Sequence, residues 1–260
     1  MDIRLDGRTA LITGSSLGLG KAMASRFAEA GANVAILARR RSVLEETQKE
    51  IAAFATGTIA AYVCDVMDPA QIEATHAAAV AELGPIDILV NNVGTSETGP
   101  LLEITDQVWT DDIELKLFSA IRFSRLVIPA MKERSWGRII NVLNTGAKAP
   151  PAGSAPTTVS RAAGMALTKA MAQEFAPYNV LVNAMLVGLI DSDQWVRRHA
   201  AEGGKRSYDD FTAEMGQRIP MGRIGQPEEF ADLACFLVSD NGSYITGTAI
   251  NVDGGRAPVV

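Results

Sequence analysis

The chain has 260 residues, 47% of them hydrophobic and 21% charged, with a formal net charge of −6. That is a globular composition with enough apolar side chains for a core, and its negative balance argues against nucleic acid or an acidic membrane as partner. Two cysteines, Cys64 and Cys235, make no disulfide framework, and no apolar run approaches the ~18 residues of a membrane span.

The opening residues Met1-Asp2-Ile3-Arg4 lack the charged and apolar regions of a secretion signal, so a cytoplasmic enzyme or binding protein is expected. Short apolar runs follow at 9–13, 34–38, 59–63, 86–91, 139–143, 180–186 and 249–252. They are nearly continuous in apolar character, as strands covered on both faces are. Helical patterns alternate with them at 21–30, 43–53, 69–82, 107–133 and 161–175. Gly31 closes the first, Asp68-Pro69 opens the third and Gly84-Pro85 ends it. The alternation predicts an α/β fold: a doubly wound, Rossmann-type parallel sheet of seven strands with helices on both faces. No linker divides the chain, so residues 1–260 are expected to form a single domain. The polar, weakly periodic stretch 191–217 is expected to be a lid-like insertion between the sixth strand and the next helix.

Thr13-Gly14-Ser15-Ser16-Leu17-Gly18-Leu19-Gly20 follows the first strand and opens the first helix. Glycines there let the backbone approach a pyrophosphate seated on the helix N-terminus, which makes Gly14, Ser16, Leu17, Gly18, Leu19 and Gly20 candidate cofactor contacts. The second strand ends at Ala38, where an NAD site needs a carboxylate for the ribose 2′-hydroxyl, and Arg39-Arg40 follow. A guanidinium suits a 2′-phosphate, so NADP(H) is preferred over NAD(H); a solvated basic turn is the plainer reading of the same residues.

Further along, Cys64-Asp65-Val66 follows the third strand and Asn91-Asn92-Val93-Gly94 the fourth. Gly137-Arg138-Ile139-Ile140-Asn141-Val142 and Ser160-Arg161-Ala162-Ala163-Gly164 frame a later strand and helix. Gly222-Arg223-Ile224-Gly225-Gln226-Pro227 and Asn251-Val252-Asp253-Gly254-Gly255 stand near the end. Together, over about residues 5 to 256, these resemble the classical short-chain dehydrogenase/reductase family, 3-oxoacyl-acyl-carrier-protein reductases in particular. The resemblance implies that Asp65 and Val66 flank an adenine, and that Asn91, Asn92, Val93 and Gly94 brace the sheet and line the cofactor cleft. It implies too that Ser192 replaces a threonine contacting the nicotinamide carboxamide. Leu17 departs from many NADP-dependent relatives, which carry arginine there.

The family reduces a carbonyl with a Tyr proton donor, a Lys beside it, a Ser on the carbonyl oxygen and an Asn that anchors a water. By frame these four positions are Thr157, Arg161, Asn144 and Lys116, so all have changed. None of the four tyrosines is followed by lysine four residues on, which closes the possibility of a misplaced frame. A threonine hydroxyl is a far weaker acid than a phenol, and Arg161 stays charged but still donates to ribose hydroxyls. Asn144 retains a donor for the carbonyl. Lys116 is expected to point towards the cleft, with a lowered pKa, as the replacement proton donor; filling vacated space is its bland alternative. His199, in the lid, is a lesser candidate acid. The expected function is therefore an NADP(H)-dependent oxidoreductase acting on a small-molecule carbonyl/alcohol pair with an atypical proton donor. The alternatives are a dinucleotide-binding pseudoenzyme, acting as sensor or structural subunit, and non-redox chemistry in the same cleft. No metal, nucleic acid or membrane partner is expected. The resemblance also implies a homo-oligomer, tetramer or dimer, packed through the helices at 107–133 and 161–175.

Overall fold

The computed structural model describes residues 2–203 and 206–260. Its order is β1 (Thr9–Thr13), α1 (Gly18–Glu29), β2 (Asn33–Ala38), α2 (Arg41–Ala52), β3 (Ile59–Val63), α3 (Pro69–Leu83) and β4 (Ile88–Asn91). Then come β5 (Thr98–Gly99), α4 (Asp106–Ile113), α5 (Ser119–Glu133), β6 (Gly137–Asn144), β7 (Ala155–Pro156) and α6 (Thr157–Phe175). The chain finishes with β8 (Val180–Val187), α7 (Asp193–Ala201), α8 (Tyr208–Gly216), α9 (Pro227–Val238) and β9 (Ala249–Val252). Seven strands form one sheet in the order β3-β2-β1-β4-β6-β8-β9, and every pairing in it is parallel. Strand order reverses between β1 and β4, and the crevice beyond their carboxyl ends is where doubly wound sheets bind ligands.

Alternation along the strands divides the core into two layers. Ala10 and Ile12 of β1 pack with Met23 and Phe27 of α1, Leu44 of α2 and Phe230 of α9. Leu11, between them, faces the other way with Ile72 of α3, Phe123 and Val127 of α5, and Met171 of α6. That is the period-two geometry of a strand. The start signals act as expected at α3, where the Asp68 side chain accepts from the backbone N–H of Ala70 and Gln71 and Pro69 occupies the first turn.

Two local differences from the sequence reading bear on the site. The segment 107–133 is not one uniform helix: a single π-helical turn, Glu114–Phe118, joins α4 to α5, closed by the Ser119 N–H donating to Glu114 C=O. A turn of this kind inserts one residue and shifts the face that the later positions present, a phase change that reading 107–133 as a single helix does not take into account. Within 191–217, read from the sequence as weakly periodic, the chain forms the two short helices α7 and α8; Gly204 and Lys205, inside that expected lid, lie outside the described residues. Among the described residues no helix is long and apolar enough to cross a membrane.

Candidate active site

One cleft of about 670 Å³ runs over the carboxyl ends of β1, β2, β3, β4, β6 and β8. Its first half is a nucleotide-shaped cradle. Gly14 and Gly18 have φ of 63° and 54°, which a side chain disfavours. Gly20 is required for a different reason: a Cβ there would stand 2.2 Å from the Gly14 carbonyl oxygen. The Asn92 carboxamide donates to the Thr13 and Gly14 carbonyls, both at 3.0 Å, and so pins the loop. Ser15 ties it to β2 by accepting from Leu37 N–H at 2.8 Å. Gly14, Ser16, Leu17, Gly18, Leu19 and Gly20 all line the cleft, as the glycine spacing requires. So do Ala38, Arg39 and Arg40, with both arginines exposed at the rim. Of the triplet, only Arg41 has a carboxylate partner among the described residues, Glu45 at 3.5 Å. Asp65, Val66, Asn92, Val93, Gly94 and Ser192 complete this half. Ser192 precedes α7 without capping it, and its Cβ stands 3.8 Å from where a Cβ on Gly18 would be. The cradle therefore fits a dinucleotide: tight backbone at a helix N-terminus, and free guanidinium groups at the end of β2.

Asn91 is a correction. It does not face the cleft; its side chain donates to Asn141 Oδ1 at 2.9 Å, from the register partner on β6. Asn141 in turn donates to Thr168 Oγ1 at 2.9 Å. This is a buried polar chain that ties β4 to α6; within it only Asn91 Oδ1 has no partner among the described residues.

In the other half, Asn144, Thr157 and Arg161 come together on the cleft wall. Asn144 closes β6, and its buried Oδ1 has no protein partner among the described residues; an unmet acceptor of this kind points to a ligand donor. Arg161 donates from Nη1 to the Val142 carbonyl at 2.8 Å. Burial pulls its pKa down to about 10, while Asp112 opposes the fall, so it remains a cation at neutral pH. Gly94 makes room for it, since a Cβ there would meet Nη2 at 1.9 Å.

Lys116 is the second correction. It sits on the π turn, but Leu115 supplies that turn's contact with the cleft, and the Lys116 side chain is 1% exposed. The ammonium lies one layer back, paired with Asp112 and donating to Thr157 Oγ1 at 2.8 Å. Burial lowers its pKa most strongly and Arg161 adds to this, while the Asp112 carboxylate resists. Thr157 Oγ1 also accepts from the Glu97 N–H at 2.9 Å. With two donors already on the oxygen, the hydroxyl's own proton is left for Asp112 Oδ1, a weak 3.4 Å away, or for an acceptor in the cleft. His199 is held elsewhere, bonded to the Arg206 carbonyl at 2.8 Å and packed on Tyr208 and Phe211.

Sequence reasoning missed Asp112 and Ser160. Asp112 has a side chain of zero exposure, and its Oδ2 accepts from Ser160 Oγ at 2.6 Å. A signal existed: Asp112 stands four residues before Lys116 in a helical pattern, the spacing of an intrahelical ion pair. Among the described residues no cluster of three His, Cys, Asp or Glu is arranged to hold a metal ion.

Comparison with known proteins bears on the whole chain. A family model described as enoyl-(acyl carrier protein) reductase matches residues 14–257. The 3-oxoacyl-[acyl-carrier-protein] reductase of Vibrio cholerae is 35% identical, over 97% of this chain and 98% of its own length. L-sorbose reductase from Gluconobacter frateurii, solved with NADPH and L-sorbose, superposes with a TM-score of 0.95 at 30% identity, each chain covered completely. An NADPH-bound short-chain oxidoreductase from Pseudomonas aeruginosa, described as containing an atypical catalytic center, superposes with a TM-score of 0.92 at 36% identity over 99% of both chains. With the seven-stranded order, the glycine cradle and these matches in agreement, the chain belongs to the short-chain dehydrogenase/reductase family.

Proposed function

We propose that this chain is an NADP(H)-dependent reductase of a small carbonyl compound in which Thr157 passes the proton and Lys116 replenishes it. The cofactor half rests on the cradle, on Arg39 and Arg40 at its rim, and on relatives solved with NADPH. The observation that carries the proton path is the Thr157 hydroxyl, on the cleft wall with Lys116 Nζ at 2.8 Å behind it. When bound, the dihydronicotinamide supplies hydride to the carbonyl carbon. Charge then develops on the carbonyl oxygen, within the field of Arg161 and beside the carboxamide of Asn144, and preorganised donors of this kind favour it. The Thr157 O–H bond breaks as the substrate O–H forms, and an Nζ–H bond of Lys116 breaks to restore the hydroxyl. Lys116, left neutral, regains its proton through the Thr157 hydroxyl, which takes one from water entering the cleft after the product leaves. Arg161 holds charge and shape but releases no proton.

Turnover in the reducing direction needs protonated Lys116. It is therefore lost as pH rises through a pKa that burial has pulled below the ordinary lysine value of 10.5. NADPH oxidation with a ketone, a 3-oxoacyl thioester and a ketose as probes tests the reading. Lys116→Met should lower kcat by about 10²–10⁴ with NADPH affinity retained, the usual cost of a lost general acid. Unchanged turnover in Lys116→Met would remove the path. Tight NADPH binding without turnover in the parent would favour a dinucleotide-binding pseudoenzyme, the reading supported by the sealed position of Lys116.

The lid-like role of α7 and α8 over a single domain belongs to the same proposal; Trp195 and Arg197 of α7 reach the cleft wall. So do a cytoplasmic location and assembly as a dimer or tetramer. The assembly is supported by an apolar groove between α5 and α6, lined by Ile121, Ile128, Leu167, Met171 and Phe175.

A further inference from the structure

The carbonyl-reduction reading, on which this inference rests, gives no task to Asp112. Yet this carboxylate is wholly buried and holds groups from two helices: Lys116 from its own side of the π turn on Oδ1, and Ser160 of α6 at 2.6 Å on Oδ2. A buried ion pair is no better for stability than a well-packed apolar pair, because desolvating two charges costs several kcal/mol. Its presence directly behind a cleft-wall hydroxyl needs another explanation.

We infer that Asp112 is the positioning residue of the proton path, clamping the Lys116 ammonium onto the Thr157 hydroxyl and locking that arrangement to α6 through Ser160. The charged groups around Lys116 are few. Asp112 faces it from α4, Arg161 from α6, and Glu97 from the segment before β5. Arg161 repels the ammonium and burial disfavours it, so Asp112 is the contact that keeps a proton on Nζ. Direction follows from the same contact. Asp112 occupies one face of Nζ and Thr157 Oγ1 another, and Thr157 accepts there at 2.8 Å. The 3.4 Å from Thr157 Oγ1 to Asp112 Oδ1 is too long for a strong bond, so the threonine proton turns to any oxygen that enters the cleft.

The test is an NMR titration of the full chain carrying 15N-labelled lysine side chains, beside NADPH-dependent turnover of acetoacetyl thioester across pH. Lys116→Met identifies the Lys116 resonance by its loss. Asp112→Asn should lower the Lys116 midpoint by about one unit or more, the range for removing an adjacent opposite charge. It should carry the alkaline limb of kcat down by the same amount while the KM for NADPH stays put, a correspondence that a merely structural role would not produce. Ser160→Ala, which removes a donor from Oδ2 but keeps the charge, leaves the carboxylate a stronger partner for Nζ and should move both upward, by less, and it serves if Asp112→Asn fails to fold. Turnover in the parent with the midpoint and limb unmoved in these variants overturns the inference and leaves the reductase reading intact. A moved midpoint without parental turnover on any carbonyl supports the clamp and overturns the reductase reading instead.

Discussion

Replacing both rim arginines, Arg39→Ala with Arg40→Ala, separates phosphate recognition from general cofactor binding. Both side chains are exposed at the end of β2, and neither β2 nor the glycine loop depends on them for packing. A hydrogen bond to a charged group contributes about 1.5–3 kcal/mol, and exposure places these two near the lower limit. At about 1.4 kcal/mol per tenfold in Kd, each arginine should account for roughly a tenfold change in NADPH affinity, and the pair for roughly a hundredfold if additive. NADH uses the same cradle but carries no 2′-phosphate, so its affinity should change less than about twofold, within the error of additivity. Salt adds a second signature. With a screening length of about 8 Å at physiological ionic strength, the NADPH penalty should shrink as salt is raised, because the parent loses its advantage. Isothermal titration calorimetry with the two cofactors at low and high salt reads all of this. An equal loss for NADH and NADPH, or no loss for NADPH, refutes the assignment of the 2′-phosphate to this turn.

Two further substitutions test the frame on which that site stands. Gly20→Ala puts a Cβ 2.2 Å from the Gly14 carbonyl oxygen, a backbone atom that cannot swing away. Overpacking of this kind costs about 1–3 kcal/mol, so thermal unfolding should come earlier and binding of both dinucleotides should weaken together. Asn91→Ala leaves Asn141 Oδ1 without its donor inside the sheet. It should lower unfolding free energy by about 1–3 kcal/mol in a denaturant titration, with the NADPH Kd unchanged because the side chain does not reach the cleft.

Much of the fold was legible because its strands are covered on both faces. A run such as Leu11-Ile12 must bury alternate side chains in opposite layers, and unbroken apolarity is the only pattern that allows this. The cradle was legible for a related reason: its glycines answer backbone constraints that act over eight residues and need no distant partner. The misreadings concern long-range partners. Asn91 ends a strand with an amide, which looks like a ligand contact until β6 brings Asn141 opposite it. Helix α6 begins at Thr157, four residues ahead of the periodic pattern, because the β-branched pair Thr157-Thr158 obscures its first turn. The lowered pKa expected of Lys116 is the direction that its burial gives. Its depth depended on the pairing with Asp112, a polar contact that leaves no mark in hydrophobic spacing.

Asp112 changes the electrostatics of the site as well as its geometry. Family members with the usual residues place one lysine beside a tyrosine; this chain has two cations, Lys116 and Arg161, and one buried anion between them. The buried charges behind Thr157 sum to one positive charge, with Glu97 exposed beside them, although all four residues at the family's catalytic positions differ. An unbalanced second cation would have been costly to bury and would have driven Lys116 to deprotonate. The replacement of asparagine by lysine at position 116 therefore requires a compensating carboxylate within reach. One helical turn earlier, on the same face, is where a helix can supply it without altering any loop. On the proposed reading, the positive field at the carbonyl oxygen is thereby retained while the proton source is the ammonium behind the cleft wall in place of a phenol on it. On this account Lys116 and Asp112 act as one unit. Their substitution effects on turnover should be strongly non-additive, the double variant being hardly worse than the poorer single one.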